Sequence, residues 1–180
     1  MRPSVALRLI AGIGVVALGV VLVWHVTHQP KSVVRAVAKH RIVPAPNFVL
    51  DRLTGSGKLS LASLRGKAVV VNFWASDCAP CKQEMPRLVS FARTWSSRDV
   101  VVVGVDIAEG TKGPARAFTR RYGATYPMVF DPDATTASPW GIFATPQTFF
   151  VDRRGRIVDH VLGPVSKQAL EANARRALST

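Results

Sequence analysis

Two cysteines, Cys78 and Cys81, stand two residues apart and are the only cysteines of the 180-residue chain. Before them runs an apolar, largely β-branched stretch, Val69 to Trp74, and after them a helix-like stretch begins near Ala79. A strand that runs directly into a helix puts Cys78 at the helix N-terminus. Unpaired backbone N–H groups and the helix dipole there favour an anion. A thiol so placed ionises more readily, and the thiolate is the nucleophile of disulfide exchange. The pattern therefore points to thiol–disulfide exchange. A zinc site needs about four ligands, usually from two paired clusters. Here there is one pair of cysteines, and three of the four histidines (His25, His28, His40) lie in the N-terminal arm. A purely structural disulfide is a poor account too, because so small a loop constrains little of the unfolded chain.

The elements that must position this pair can be read along the chain. Phe48–Leu50 and Lys58–Leu61 flank Thr54-Gly55-Ser56-Gly57, a hairpin signal. Ala68–Trp74 reads as a buried strand and Ala79–Ser97 as an amphipathic helix with Met85, Leu88, Val89, Ala92 and Trp95 on its apolar face. Val100–Val105 is a second continuous β-branched strand, Pro114–Tyr122 a helix and Tyr126–Phe130 a short strand. Gln147–Val151 and Arg156–Leu162 flank a turn at Asp152-Arg153-Arg154-Gly155, and Ser166 caps a last helix, Lys167–Leu178. Two fully apolar strands joined by a helix imply parallel pairing and helices on both faces of an α/β sheet.

The N-terminal part has a different character. Leu9–Val26 carries no formal charge, and eighteen helical residues span roughly 27 Å, close to the thickness of a bilayer core. Trp24 stands near its far end, where interfacial aromatics collect. The organisation expected is a basic segment at 1–8, a transmembrane signal-anchor at 9–26, a basic linker at 27–43 and a folded domain at 44–180. The apolar run exceeds an ordinary signal-peptide core, which favours an uncleaved anchor over a removed leader. Arg2 and Arg8 precede the span, whereas Lys31, Arg35, Lys39 and Arg41 follow it. By the positive-inside rule that balance argues against export of the C-terminal side, in tension with the signal-anchor layout.

The net charge is +13, with 24 Lys+Arg against 11 Asp+Glu. The basic residues are dispersed, with doublets only at 120–121, 153–154 and 175–176, and no basic motif interleaved with aromatics appears. This excludes the usual nucleic-acid-binding patterns and fits a solvated basic surface.

The run Trp74-Ala75-Ser76-Asp77-Cys78-Ala79-Pro80-Cys81-Lys82-Gln83-Glu84-Met85-Pro86, together with Ala144-Thr145-Pro146-Gln147-Thr148-Phe149-Phe150-Val151-Asp152, resembles the membrane-tethered, extracytoplasmic thioredoxin-like proteins of the TlpA, ResA and CcmG/DsbE group. The resemblance covers nearly all of the chain from Pro44 onward. It implies a thioredoxin-like fold, a central mixed β-sheet with helices on both faces, preceded by an N-terminal hairpin and a single transmembrane segment. It also implies a cis peptide before Pro146, packed beside the cysteines. In that setting Cys78 attacks the substrate disulfide and Cys81 resolves the mixed disulfide. Trp74, Asp77, Ala79, Pro80, Thr145 and Pro146 form the substrate-binding surface, with the Thr145 backbone open to strand addition. Glu84, three residues after Cys81 and one helical turn on, matches an acidic residue of that group. It reads either as the proton-transfer residue for Cys81 or as a first-turn Glu that stabilises the helix.

Three positions depart from the wider pattern. Asn72 stands where cytoplasmic thioredoxins carry a buried Asp, and it cannot titrate. Asp77 replaces an aromatic residue before the first cysteine; pointing inward it would raise the thiol pKa, pointing outward it would do little. Gln147 replaces a Glu of the CcmG-like members. The expected function is an extracytoplasmic thiol–disulfide oxidoreductase, a reductase of oxidised proteins. Its electron donor would be a membrane partner of thiol–disulfide type, and apocytochrome c is the substrate the resemblance suggests. No cofactor beyond the Cys78–Cys81 disulfide and no metal is expected. The alternatives are a disulfide-forming oxidase, since potential rather than motif sets direction, and a thiol-based copper or other metal chaperone.

Overall fold

A computed structural model describes residues 19–20, 33–38 and 41–180. Ser32–Thr180 makes up one compact unit. It opens with helix α1 (Val33–Ala38), strand β1 (Val43–Pro44) and a hairpin of β2 (Val49–Arg52) and β3 (Lys58–Ser60). A 3-10 turn (Leu61–Leu64) leads to β4 (Ala68–Trp74), α2 (Ala79–Trp95) and β5 (Val100–Ile107). Then come α3 (Lys112–Tyr122), β6 (Met128–Asp131), the short α4 (Ala137–Trp140), β7 (Gln147–Val151), β8 (Arg156–Leu162) and α5 (Lys167–Ser179).

The eight strands form one mixed sheet in the order β1-β8-β7-β4-β5-β6-β2-β3. β4, β5 and β6 run parallel, and the remaining pairs are antiparallel. Every residue of β4 is buried, as an apolar strand covered on both faces must be. The turn between β7 and β8 is fastened by the buried Asp152. Its carboxylate accepts from the backbone N–H groups of Arg154 (2.9 Å) and Arg156 (2.8 Å) and from the Arg156 side chain. Ser166 caps α5, its hydroxyl accepting from Ala169 N–H at 3.1 Å.

Helices cover both faces, but unequally. The crossovers β4–α2–β5 and β5–α3–β6 step in the same direction across the sheet, so right-handed connections place both helices on one face. α5 joins them there, and Met85, Leu88, Phe118, Leu170 and Ala174 pack with Val70 and Val102. The opposite face is covered by shorter pieces: Val37 of α1, Trp140 of α4, Phe48 and Leu61 pack on Val71, Phe73, Val103 and Phe149.

The sequence places residues 27–43 in a linker, and the structure corrects this. Residues 33–38 form α1, with Val37 buried and the helix in contact with β8 and α4. Val43 pairs with Ile157 at the sheet edge. Valines at 33, 34 and 37 give α1 one apolar face, which the basic residues around it obscured. The expected membrane span, Leu9–Val26, lies outside the described residues apart from 19 and 20. Among the described residues no helix is long and apolar enough to cross a membrane.

Gly104 marks the tightest point of the sheet below the cysteines. A Cβ there would stand 2.9 Å from Trp74 Nε1, 3.2 Å from Met128 Cε and closer still to Met128 Sδ. Trp74 is fully buried and has no room to yield. Gly104→Ala is expected to cost about 1–3 kcal/mol through overpacking. Urea denaturation should show a lower midpoint with an unchanged slope.

Candidate active site

Cys78 occupies the N-cap of α2 with extended backbone angles (φ −66°, ψ 108°), and its sulfur accepts the Cys81 N–H at 3.2 Å. The two sulfurs form a disulfide. Pro80 sits in the first helical turn, where its missing N–H has no partner to lose. Cys81 is fully buried, Cys78 is half-buried and Ala79 is exposed. Cys78 therefore keeps part of its surface in solvent, and Cys81 keeps none.

The second wall of the site comes from β7. Phe73 of β4 pairs with Gln147, so the residues before Gln147 lie beside the end of β4. The Thr145–Pro146 peptide bond is cis. Pro146 is buried, while Thr145 is half-buried. Thr145 shares with Asp77 an open cleft of about 730 Å³, bounded by Ala75–Asp77, the loop after β5 and Ile142–Thr145. Phe143, 69% exposed, stands at its rim. Gln147 fixes this loop from below. Its Nε2 donates to Ala144 O at 2.9 Å, and its Oε1 lies 3.0 Å from His160 Nε2. Burial pulls the His160 pKa below its ordinary value, with Asp159 opposing.

Glu84 lies on the core side of α2 and is fully buried. Its Oε1 accepts from Asn72 Nδ2 (2.8 Å) and its Oε2 from Val165 N–H (2.9 Å). Burial raises its pKa, while the Val165 N–H, the Asn72 amide and the Arg87 charge work against that rise. The carboxyl is thus held between two opposed demands, a condition suited to gaining and losing a proton.

A second buried carboxyl lies at the end of β5. Asp106 is fully buried and is the register partner of Trp74. Neither of its oxygens has a hydrogen-bond partner among the described residues, and the same holds for Glu109 Oε2. Glu109 Oε1 accepts the Ser76 N–H, which ties the loop after β5 to the loop before Cys78. Burial, reinforced by Glu109 and Asp77, pushes Asp106 up to about 8. With its proton on, Asp106 becomes a donor, and Glu109 is the acceptor at hand.

The structure therefore brings Cys78, Cys81, Asp77, Ala79, Pro80, Thr145 and Pro146 to one end of the sheet. Trp74 ends β4 at the same end of the sheet but faces the core. Its ring is fully buried and stacks on Phe118 with centroids 4.8 Å apart, so it supports the loop from beneath and cannot meet a partner. The sequence reading missed Asp106, Glu109, Thr148 and the structural use of Asn72. One signal was available for Asp106: it is the first charged residue after the apolar run Val100–Val105.

Residues 43–160 match the AhpC/TSA family profile. The thiol-disulfide oxidoreductase ResA of Bacillus anthracis is 31% identical over 132 residues, covering 73% of this chain and 75% of its own length. The thioredoxin-like protein YneN of Bacillus subtilis is 35% identical over 128 residues, covering 71% of this chain and 74% of its own. Among solved structures, a Chlorobium tepidum protein assigned as thiol:disulfide interchange protein DsbE superimposes with a TM-score of 0.70 at 30% identity. That match covers 75% of this chain and 95% of the other.

The Asp106 shift has a stability consequence of known sign. Its folded pKa lies above the ordinary value of 3.8. The stability it contributes is therefore fully present below pH 3.8 and is lost as pH rises through about 8. Asp106→Asn removes that loss. Urea midpoints at pH 5 and pH 9 should show the Asn variant gaining on wild type as pH rises; parallel pH dependences would contradict the assignment.

Proposed function

This chain belongs to the AhpC/TSA family, and we propose that, as a thiol–disulfide oxidoreductase of the ResA/DsbE type, it reduces protein disulfides outside the cytoplasm. The observation that carries this reading is the Cys78–Cys81 disulfide at the start of α2. Half-buried Cys78 stands at the N-cap, and Cys81 is sealed in the core. Relatives named ResA, and a structural neighbour assigned as DsbE, support the same chemistry.

The reduced form acts through two exchanges. The Cys78 thiolate attacks one sulfur of the substrate disulfide, forming a mixed disulfide and releasing the other substrate sulfur as a thiolate that takes a proton. Cys81 gives its proton to Glu84, one turn along α2, and attacks the Cys78 sulfur. The second substrate sulfur leaves, and the Cys78–Cys81 bond closes. Two electrons pass to the substrate, and a thiol–disulfide partner at the membrane restores the dithiol. Thr145, lining the same cleft as Asp77, offers its backbone to an extended substrate segment.

Asp77 immediately precedes Cys78 and is exposed; turned to solvent, its charge bears little on the thiolate, and the direction of exchange rests on the potential of the pair. The apolar run Leu9–Val26 supports an N-terminal anchor with the folded unit outside the membrane. Oxidised apocytochrome c, whose haem-attachment cysteines must be reduced, is the substrate this arrangement suits.

Cys78→Ser is expected to abolish reduction of an oxidised haem-attachment peptide. Cys81→Ala should keep the first exchange and accumulate the mixed disulfide, seen as a peptide adduct by mass spectrometry. Glu84→Gln should slow the second exchange by about a hundredfold and flatten its pH dependence. An unchanged pH profile would remove the proton-transfer role.

A further inference from the structure

Asn72 is the one polar side chain in a seven-residue strand that otherwise reads Ala-Val-Val-Val, Phe-Trp. It is fully buried, and a buried amide is costly unless its hydrogen bonds are made. Both of its N–H groups are used, while its Oδ1 has no partner among the described residues. One goes to Glu84 Oε1 at 2.8 Å, the other to Thr148 Oγ1 at 3.0 Å. Thr148 is the register partner of Asn72 on β7, two residues past the cis proline. The Glu84 carboxylate fixes which way the amide faces, since the Thr148 hydroxyl can donate or accept. Turned over, it would set its own oxygen against the Glu84 carboxylate. On the far side, Val165 N–H donates to Glu84 Oε2 at 2.9 Å, and Val165 O accepts from Arg87 Nε at 3.1 Å.

We infer that Asn72 is a positioning residue for the second exchange, holding the Glu84 carboxyl in place and favouring its ionised form against the cost of burial, so that it can take the proton of Cys81. This rests on the proton-transfer role proposed for Glu84. The groups around Glu84 bear the inference out in kind. On α2 stand Arg87 and, one turn earlier, Cys81. Tyr126 is kept neutral by burial and gives its hydroxyl proton to Met85 Sδ at 3.2 Å. β4, β7 and the segment before α5 contribute Asn72, Thr148 and a backbone N–H, none of which titrates. Within this set Asn72 is a neutral donor aimed at the carboxylate from the sheet. An Asp at this position would set a second carboxyl against the first, and only by carrying a proton itself could it donate. An aliphatic residue would leave Glu84 Oε1 without that donor. Asn is thus the residue that lets a buried Glu, rather than the strand residue, carry the titration.

The test uses the reduced protein and 5,5′-dithiobis(2-nitrobenzoate). Attack by Cys78 releases one thionitrobenzoate, and closure by Cys81 releases a second, so the second phase isolates the Cys81 step. In Asn72→Leu the pH midpoint of the second phase should rise by about one unit, with the first phase unchanged. In Asn72→Leu/Glu84→Gln the profile should match that of Glu84→Gln alone. If Asn72→Leu fails to fold, Asn72→Ala is read the same way. A lowered melting temperature with an unmoved second-phase midpoint, in a chain whose Glu84→Gln variant has lost its pH step, overturns the role of Asn72 and leaves that of Glu84 intact. A Glu84→Gln variant that keeps the wild-type profile overturns both.

Discussion

Strand β4 pairs in parallel with β5 and antiparallel with β7, and this double pairing brings three segments to one end of the sheet. From β4 itself the chain passes into the N-terminus of α2 and delivers Cys78. From β5 it delivers Asp106 and, just beyond, Glu109. From the start of β7 it delivers Thr145 and the cis Pro146. The β5 and β7 segments are both laddered to β4, which is buried throughout. The cysteine pair therefore follows directly on a fully buried strand, next to an open cleft that Asp77 and Thr145 line. Rigidity of the scaffold and access to the reacting atom come from the same arrangement.

The two buried carboxyls on that scaffold are treated in opposite ways. Glu84 accepts an N–H on each oxygen, which compensates part of the cost of burying its charge. Asp106 has no such donors among the described residues, and burial beside Glu109 keeps its proton on. One carboxyl is arranged to exchange a proton, the other to retain one. The difference does not lie in the acids themselves. It lies in whether the neighbouring strand and loop supply donors or a further carboxylate.

Much of this scaffold was legible from the residues. The β-branched runs at 68–74 and 100–105, the Asp152–Gly155 turn, the Ser166 cap and the Cys-x-x-Cys junction are local patterns, and local patterns are what periodicity and capping report. The unread parts are tertiary. Asn72, Thr148 and Val165 lie 12, 76 and 81 residues from their partners, and no spacing rule links them. Trp74 was misplaced because a strand buried on both faces shows no alternation from which to tell the core side from the exposed end. α1 was hidden by its length of six residues and the basic residues near it. The placement of all three long helices on one face depends on strand order, which composition does not encode.

The central claim is that Cys78 and Cys81 deliver electrons to protein disulfides. The most direct test is the reduction potential of the pair, obtained by equilibrating the full chain against defined dithiothreitol or glutathione couples. The account predicts a value well below about −200 mV, toward the thioredoxin end of the scale. A value near about −120 mV, that of a strong oxidant, would contradict it and assign the same two cysteines to disulfide formation.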